Sequence, residues 1–320
     1  KKHDAAIQSY DRAIALKPEY AEAYYNRGNA LNALKKHDVA IQSYDRAITL
    51  KPDYAEAYHN RGIALQEVKR HQAAIESYDK AIALKPDYAE AFNNRGNALR
   101  DLKQHKAAIA SYDKAVALNP DFAEAFNNRG NALKDLKQYK AAIASYDKAI
   151  ALKPDYPFLY GMRLHTKMQI CDWVDVENQF AELARRLERE ERVSPPFPVL
   201  AITGSLPLQR KAAEIWVREN VPPSHALPEL PRYSRHDKIR IGYFSADFRI
   251  HAVSILTAGL FEKHDKSKFE LIAFSYGPDS NDEMRHRVVA AFDKFIDVRA
   301  QSDKNVAQLS RKLEVDIAID

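Results

Sequence analysis

Residues 89–122 read AEAFNNRGNALRDLKQHKAAIASYDKAVALNPDF, and close copies of this stretch fill the first half of the chain. Its tyrosine and its proline recur every 34 residues. The tyrosines are Tyr10, Tyr44, Tyr78, Tyr112 and Tyr146, and the prolines are Pro18, Pro52, Pro86, Pro120 and Pro154. A fixed period of this length indicates stacked helix pairs that form an all-α superhelical solenoid. Four full repeats, 21–54, 55–88, 89–122 and 123–156, follow the second helix of a fifth.

Each repeat predicts two amphipathic helices whose apolar positions face each other. In repeat 21–54 these positions are Tyr24, Leu31, Ala40, Tyr44 and Ala47. Gly28 allows the two helices to approach closely, Pro52 is expected to end the second helix, and Asp53 is expected to cap the next one. This pattern resembles the tetratricopeptide repeat (TPR), and the resemblance covers residues 1–156, with the first helices expected on the concave side.

Two slots on the first helices hold asparagine in register, three residues apart. One slot contains Asn26, Asn60, Asn94 and Asn128, and the other contains Asn29, Asn97 and Asn131. Residues three apart share a helix face, and an amide both donates and accepts, so these side chains can pair with the backbone of an extended peptide. TPR domains that resemble this one clamp extended peptides with the same asparagine slot. The alternative is that the asparagines tie helices together inside the solenoid.

Arginine and histidine recur with the same period. The arginines Arg27, Arg61, Arg95 and Arg129 stand beside the asparagines, where they pair either with carboxylates of neighbouring helices or with an acidic ligand. The histidines are His3, His37, His71 and His105. Equivalent positions in stacked helix pairs lie roughly 10 Å apart, whereas zinc ligands lie about 2 Å from the metal. We therefore predict no metal site and interpret the histidines as helix-start residues.

The register of the repeats fails after Pro154, since Pro157 falls where a repeat would start and the expected glycine is absent. Residues 157–220 are predicted to be capping helices, one through Met168, one over 173–187 and one over 209–218, because an open solenoid end would expose apolar surface. Three prolines, Pro195, Pro196 and Pro198, are expected to break the chain between them. The prolines of 221–237 indicate a stiff, Pro-rich linker.

From Lys238 onward, short apolar strands alternate with helices. Strands are predicted over 239–244, 269–276, 295–298 and 315–319, and helices over 253–261, 283–292 and 306–313. This alternation is typical of a parallel sheet covered by helices, and four strands are the start of a doubly wound α/β domain. We expect residues 238–320 to be the truncated start of such a domain, and the chain to be part of a longer protein.

Residues 240–248, RIGYFSADF, followed by His251 and Ser254, lie where the first strand of this domain ends. Doubly wound sheets bind ligands at this end, but the segment lacks the Gly-x-Gly-x-x-Gly dinucleotide pattern. It resembles the opening of the catalytic domain of protein O-GlcNAc transferases, a family that also contains Spindly-type protein O-fucosyltransferases. The upstream Ile170-Cys171-Asp172-Trp173 and the TPR array in front fit the same family.

The resemblance implies that 238–320 is the start of the N-terminal Rossmann-like lobe of a two-lobed GT-B glycosyltransferase. Such an enzyme transfers a sugar from a nucleotide donor, here UDP-GlcNAc with GDP-fucose as the alternative, to Ser or Thr of proteins that the TPR array holds. His251 matches a histidine of the family's active site, and Asp247 lies in the same loop. Each has a structural alternative, His251 as a helix-start residue and Asp247 as a residue that orients the loop.

The donor-binding lobe is expected outside these residues, so the 320-residue chain by itself is expected to be inactive. The competing interpretation is a non-catalytic TPR scaffold for protein–protein interaction. A TPR protein fused to a phospho-receiver is disfavoured, because receivers need paired acidic residues after the first strand and only Asp247 is present there.

The charges of the chain are interspersed, with 49 Lys and Arg against 44 Asp and Glu and a net charge of +5. No clustered basic face is visible, which disfavours nucleic acid as a partner. No stretch of about 18 apolar residues predicts a membrane span. The lone Cys171 can form no intrachain disulfide and is expected to be buried, which favours a reducing, cytoplasmic compartment.

Overall fold

The computed structural model describes residues 2–221 and 236–320. The chain divides into two compact units, Lys1–Pro222 and Pro223–Asp320. Among the described residues, the first unit contains helices and the second contains a four-stranded sheet with its helices. This is the predicted fold class, a TPR solenoid followed by part of a Rossmann-like α/β domain. Most of the Pro-rich linker predicted for 221–237 lies outside the described residues.

The solenoid consists of regular helices that follow the 34-residue period. They are α1 Lys2–Leu16, α2 Ala21–Ala33, α3 His37–Leu50, α4 Ala55–Glu67, α5 His71–Leu84, α6 Ala89–Asp101, α7 His105–Leu118, α8 Ala123–Asp135 and α9 Tyr139–Leu152. His37, His71 and His105 begin helices, as predicted. The expectation that Asp53 caps α4 was wrong. Tyr54 occupies the N-cap without a side-chain hydrogen bond, and its ring packs 4.8 Å from that of Tyr25.

A tyrosine of each second helix is buried against the glycine of the preceding first helix. In repeat 89–122, a Cβ atom added to Gly96 would lie 2.5 Å from Cε1 of Tyr112. The hydroxyl of Tyr112 donates to Oδ1 of Asn97 at 2.7 Å. The glycine therefore makes room for the ring, and the asparagine satisfies the buried hydroxyl.

First helices of successive repeats contact one another directly. Contacts join α2 to α4, α4 to α6 and α6 to α8. In a curved stack the helices on the inner side approach one another, so the first helices line the inner side of this solenoid. We call this surface, formed by α2, α4, α6 and α8, the inner face.

Four more helices complete the first unit, namely α10 Leu159–Met168, α11 Val176–Glu188, α12 Pro196–Ile202 and α13 Leu206–Asn220. The contacts of the repeats continue into this region. Arg163 lies 34 residues after Arg129, and its Nε pairs with Asp147 of α9, as Arg129 pairs with Asp113. Its Nη1 donates to Oε1 of Gln179 on α11 at 2.8 Å. The helices predicted as a cap thus begin with a pair that stacks in the register of the repeats.

The helical structure is interrupted between α11 and α12, as expected, and Pro195, Pro196 and Pro198 occupy the N-cap and first turn of α12, where the missing N–H groups have no helical acceptor to lose. The sequence did not predict α12 itself. One expectation for this region was wrong. Cys171 is exposed and not buried. It lies in the turn after α10 with a φ of 52°, at a surface where the chain reverses toward α11.

In the second unit, strands and helices alternate as predicted. They are β1 Ile239–Ser245, α14 Ala252–Glu262, β2 Phe269–Ser275, α15 Glu283–Ala291, β3 Lys294–Asp297, α16 Asp303–Lys312 and β4 Ile317–Ile319. All pairings are parallel and the strand order is β3-β2-β1-β4. Phe261 of α14 and Val288 of α15 pack on one face of the sheet, and Val306 of α16 packs on the other. The sheet is therefore doubly wound, and β1 lies at its centre.

The loops that follow β1 and β2 touch at Gly277. A Cβ atom added there would lie 1.7 Å from the carbonyl oxygen of Ala246. Nearby, the N–H of Tyr276 donates to the carbonyl of Ser245 at 3.2 Å. Because Ala246 immediately precedes Asp247, this close approach determines the path of the loop that carries the candidate site residues.

We expect Gly96→Ala to destabilise the solenoid. Overpacking a core costs about 1–3 kcal/mol or more, which exceeds the roughly 1 kcal/mol that alanine gains in helix propensity. Gly204→Ala is the control, since nothing lies within 4 Å of its added Cβ. Urea unfolding followed by far-UV circular dichroism measures the difference. Equal stabilities of the two variants would contradict the close contact with Tyr112.

We expect Gly277→Ala to displace the loop after β1 and to lower the free energy of unfolding of the second unit by about 1–3 kcal/mol. Gly259→Ala is a matched control within α14, because its added Cβ meets nothing within 4 Å. That change should stabilise the helix by up to about 1 kcal/mol. Hydrogen exchange of the β1 and β2 amides would report both effects, and unchanged protection in Gly277→Ala would show that the loops can separate freely.

Candidate functional site

The loop after β1 is held by hydroxyl groups on its backbone. The N–H of Asp247 donates to Oγ of Ser245 at 3.1 Å, and the hydroxyl of Ser254 donates to the carbonyl of Asp247. Ser254 is only 1% exposed, so the second of these contacts is buried. These two bonds use only backbone atoms of Asp247, so its carboxylate can still interact with neighbouring side chains.

The structure brings Asp247 and His251 together. Nδ1 of His251 lies 3.4 Å from Oδ2 of Asp247, and the same nitrogen accepts the N–H of Val253 at 3.3 Å. His251 is thus the N-cap of α14, the structural alternative foreseen for it. Its side chain remains 40% exposed. An imidazole that is exposed in this way can reach a substrate hydroxyl and exchange a proton with it. A catalytic role for His251 stays a prediction.

Sequence reasoning missed Arg285 on α15, whose side chain is only 13% exposed. Its Nη1 donates to the carbonyl of Phe248 at 3.3 Å, and its Nη2 pairs with Asp279 at 3.1 Å. Asp279 also lies 3.5 Å from Nη2 of Arg299. Arg285 therefore connects the loops after β1 and β2. Its mostly buried guanidinium group places a positive charge near the carboxyl ends of the strands. Nothing in its local sequence distinguishes it from a surface arginine of a helix.

A cavity of about 550 Å³ opens at the carboxyl ends of the strands. It is lined by Phe244, Tyr276, Val298, Arg299, Gln301, Asp303, Val306, Ala307, Ser310 and Asp320. The hydroxyl of Tyr276 donates to Oδ1 of Asp320 at 3.1 Å across it. Asp247 and His251 do not line this cavity, so the predicted site residues lie at the same sheet edge but outside its wall. A second cavity, of about 560 Å³, lies at the amino ends.

On the solenoid, the recurring arginines pair with neighbouring helices, the first of the two alternatives for them. Nε of Arg95 lies 2.6 Å from Oδ1 of Asp79, and its Nη1 donates to the hydroxyl of Ser111 at 2.7 Å. Equivalent ion pairs are Arg27–Asp11, Arg61–Asp45 and Arg129–Asp113. Each arginine joins its own first helix to the two second helices beside it.

Most asparagines of the first slot link successive first helices. Nδ2 of Asn60 donates to the hydroxyl of Tyr25 at 3.0 Å and to Oδ1 of Asn29 at 2.9 Å. Nδ2 of Asn128 donates to Oδ1 of Asn93 at 3.0 Å. These bonds are the structural alternative foreseen for the ladder, in which amides tie helices together.

Asn94 belongs to the same slot, and its Nδ2 donates to Nε2 of His59 at 3.0 Å. His59 is buried, and burial lowers its pKa, which favours the neutral ring that can accept this bond. An amide NH₂ group carries two hydrogens, so Asn94 and Asn128 each keep one N–H beyond the bond that ties the helices.

The second slot leaves more groups available. The carbonyl oxygens of Asn29, Asn97 and Asn131 accept the hydroxyls of Tyr44, Tyr112 and Tyr146 at 2.8, 2.7 and 2.9 Å. Within residues 2–221 and 236–320, neither Nδ2 of Asn97 nor Nδ2 of Asn131 has a hydrogen-bond partner in the protein, and Asn26 makes no side-chain hydrogen bond. These amides are the donors that the inner face can offer to a ligand.

Among the described residues, no group of three or more His, Cys, Asp or Glu side chains is placed to hold a metal ion. In the same part of the chain, no helix combines the length and the apolar character that crossing a bilayer requires.

Family models match both units of the chain. TPR repeat models match residues 1–35, 28–69, 67–99, 96–137 and 123–156. The model of glycosyl transferase family 41 matches residues 222–316. The second match includes the loop with Asp247 and His251, together with Arg285.

Individual proteins show the same likeness. The probable UDP-N-acetylglucosamine–peptide N-acetylglucosaminyltransferase SEC of Arabidopsis thaliana is 29% identical over 171 residues, which are 49% of this chain and 18% of that protein. A mutant O-GlcNAc transferase of Thermobaculum terrenum is 23% identical with a TM-score of 0.42, covering 83% of this chain and 45% of that one. YrrB, described as a TPR protein with an unusual peptide-binding site, is 21% identical with a TM-score of 0.49, covering 65% and 99%.

The match to the Arabidopsis protein spans less than a fifth of that protein's length. The two family models nevertheless occur in the order that the sequence predicted, with the repeats first. With TPR repeats over 1–156 and a glycosyl transferase family 41 segment over 222–316, the chain has the two parts, in the order, that the resemblance to TPR-containing protein O-GlcNAc transferases predicted.

Proposed function

We propose that this chain is part of a protein O-glycosyltransferase that transfers GlcNAc from UDP-GlcNAc to Ser or Thr residues of proteins. The observation that carries the proposal is the family 41 segment that follows a TPR array. GDP-fucose is the alternative donor, and a non-catalytic TPR scaffold is the alternative function. A cytoplasmic location belongs to the same proposal, because the lone Cys171 can form no intrachain disulfide and suits a reducing compartment.

The acceptor protein would bind as an extended segment on the inner face of the solenoid. Backbone carbonyls of such a segment can accept from Nδ2 of Asn97 and Asn131 and from the second N–H of Asn94 and Asn128. Peptide carbonyls recur in every acceptor, so pairing of this kind selects extended backbone without selecting a sequence. This suits an enzyme that modifies many proteins.

At the family 41 segment, attack of a Ser or Thr hydroxyl on the sugar requires the loss of the hydroxyl proton. His251 is our candidate for the group that takes up this proton or contacts the substrate. Asp247, 3.4 Å from His251, would orient the ring. Arg285 would act indirectly, by holding the loop through the carbonyl of Phe248.

Assaying the protein that contains this chain with radiolabelled UDP-GlcNAc and GDP-fucose tests the proposal. We expect label to enter a Ser/Thr-containing acceptor from UDP-GlcNAc. Transfer from GDP-fucose alone would replace the donor, and transfer from neither would favour the scaffold.

The variant His251→Asn separates catalysis from helix capping. Asparagine is an excellent N-cap, so α14 should keep its stability, whereas a general base contributes about 10²–10⁴-fold to a rate. We expect kcat to fall at least about 100-fold in His251→Asn with an unchanged melting temperature. His286→Ala, at an exposed position of α15, is the control and should retain full activity. Full activity in His251→Asn would reduce His251 to a capping residue.

Peptide binding is tested by Asn97→Asp with Asn131→Asp. Aspartate keeps an oxygen for the hydroxyls of Tyr112 and Tyr146 but removes both NH₂ donors. Each lost hydrogen bond is worth roughly 0.5–1.5 kcal/mol, so the dissociation constant of a fluorescein-labelled peptide of Thr-Val-Ser repeats should rise about tenfold in fluorescence anisotropy. Unchanged affinity would remove these amides from the binding site.

By contrast, replacing Asn60, Asn94 and Asn128 together by alanine should lower the melting temperature as well as the affinity. The bonds of these three amides to Asn29, His59 and Asn93 join successive repeats, and the triple variant would lose them all. Differential scanning calorimetry measures the effect. An undiminished melting temperature would mean that the amides contribute little to stacking.

A further inference from the structure

Two basic side chains, Arg100 and Lys134, lie in the last turns of α6 and α8, two first helices that contact each other. We call them, together with His165 near the carboxyl end of the following helix α10, the inner-face basic cluster. Arg100 and Lys134 are 34 residues apart and occupy the same slot of successive repeats, while His165 follows Asn131 at the same interval. The charge of Arg100 is close enough to lower the pKa of Lys134, and that of Lys134 lowers the pKa of His165, in each case after burial as the main cause.

Two carboxylates follow the cluster residues directly in the sequence, and each faces a histidine of the preceding helix. Asp101 lies 3.5 Å from Nδ1 of His71, and Asp135 lies 3.6 Å from Nδ1 of His105. Within the described parts of the chain, Arg100 and Lys134 form no hydrogen bond or ion pair of their own, although Asp135 still attracts the charge of Lys134. The positive charge on this part of the inner face is thus left without a close counter-ion.

The same slot is used differently in the first two repeats. Oδ1 of Asn32 pairs with Nδ1 of His37 at 2.7 Å, and Oε1 of Gln66 accepts the hydroxyl of Tyr78 at 2.6 Å. In those repeats a neutral side chain serves the solenoid itself. In the next two repeats the slot holds a cation that the solenoid does not use, although desolvating a charge without a partner costs free energy.

The cluster adjoins the groups proposed to hold a peptide. Arg100 lies three residues after Asn97, and Lys134 three residues after Asn131, so amide and cation share a helix face in both repeats. A peptide backbone paired with the two amides would bring its side chains next to the two cations. Guanidinium and ammonium groups bind carboxylates through charge-assisted hydrogen bonds.

We propose that the inner-face basic cluster binds acidic side chains of the extended peptide, and so favours acceptors with Asp or Glu at this position and sets their register. The inference rests on the proposed function, since it assumes that the inner face holds a peptide at all. A nucleic acid fits less well, because each first helix carries a glutamate in its first turn, namely Glu22, Glu56, Glu90 and Glu124. Those carboxylates would repel a continuous phosphate backbone.

Three fluorescein-labelled peptides test the proposal by fluorescence anisotropy. They consist of Thr-Val-Ser, Thr-Glu-Ser or Thr-Lys-Ser repeats and differ only in charge. We expect the Glu peptide to bind at least about tenfold more tightly than the neutral one, and the advantage to shrink as salt is added. Arg100→Gln with Lys134→Gln should abolish the advantage while leaving the neutral peptide's affinity unchanged.

The matched control is Lys106→Gln with Lys140→Gln. It removes the same charge at the same 34-residue spacing, from exposed positions on the second helices α7 and α9. We expect it to keep the preference for the Glu peptide. An equal loss in both double variants would overturn the proposal, because net charge and not the cluster would then explain the preference.

The other possible results distinguish peptide binding by the inner face from a specific role of the basic cluster. Binding of neither the neutral nor the Glu peptide would contradict the proposed function itself. Equal binding of both would contradict only the role of the cluster. Tighter binding of an oligo(dT) probe than of the Glu peptide, lost in Arg100→Gln with Lys134→Gln, would also overturn the proposal and assign the cluster to nucleic acid. Melting temperatures of the variants should not fall below that of the unmodified protein, because the two replaced side chains bond to no other residue in the described structure and glutamine carries no charge to desolvate.

Discussion

The contact between a buried tyrosine ring and a backbone glycine is the constraint on which the solenoid depends. It recurs at Tyr44, Tyr78, Tyr112 and Tyr146, each facing Gly28, Gly62, Gly96 and Gly130 in turn. The contact brings the two helices of a repeat so close that no side chain fits between them at that point. It also buries a hydroxyl that needs an acceptor, which Asn29, Asn97 and Asn131 provide and Gln66 replaces in one repeat. The same tyrosine therefore packs the two helices and has its hydroxyl hydrogen-bonded, and this arrangement is repeated along the stack.

This arrangement decides which polar groups the inner face can offer. In the second slot, the amide oxygens of Asn97 and Asn131 accept tyrosine hydroxyls. The NH₂ groups of the same side chains have no protein partner in the described structure. Several amides of the first slot tie one repeat to the next. The same asparagines thus serve the stack with one atom and leave another for a ligand, so the two interpretations of the ladder are not exclusive. The arginines beside them pair with Asp and Ser side chains of neighbouring helices, whereas Arg100 and Lys134 form no such bond in the described structure.

In the second unit, the central position of β1 determines where the candidate site residues lie. Its carboxyl end is surrounded by the loops of neighbouring strands, and contacts at Gly277, Ser254 and Arg285 restrain the segment that carries Asp247 and His251. His251 illustrates how one residue can meet two demands. Its Nδ1 accepts the N–H of Val253 and lies beside a carboxylate, which fixes the ring at the start of α14 while 40% of the side chain stays exposed.

The amino-acid sequence alone determined the helix pairs, the four parallel strands and the resemblance to glycosyl transferase family 41, because these depend on local periodicity and on short motifs such as RIGYFSADF at 240–248. Even the bounds of the strands differ by only a residue or two from those expected. What only the tertiary structure decided are the partners of polar side chains. The bond of Asn60 to Asn29 spans 31 residues and that of Arg95 to Asp79 spans 16, and such distances are bridged only when helices pack. For the same reason, the continuation of the stack through Arg163, the burial of Arg285 and the exposure of Cys171 could not be predicted, since each depends on which surface a neighbouring element covers.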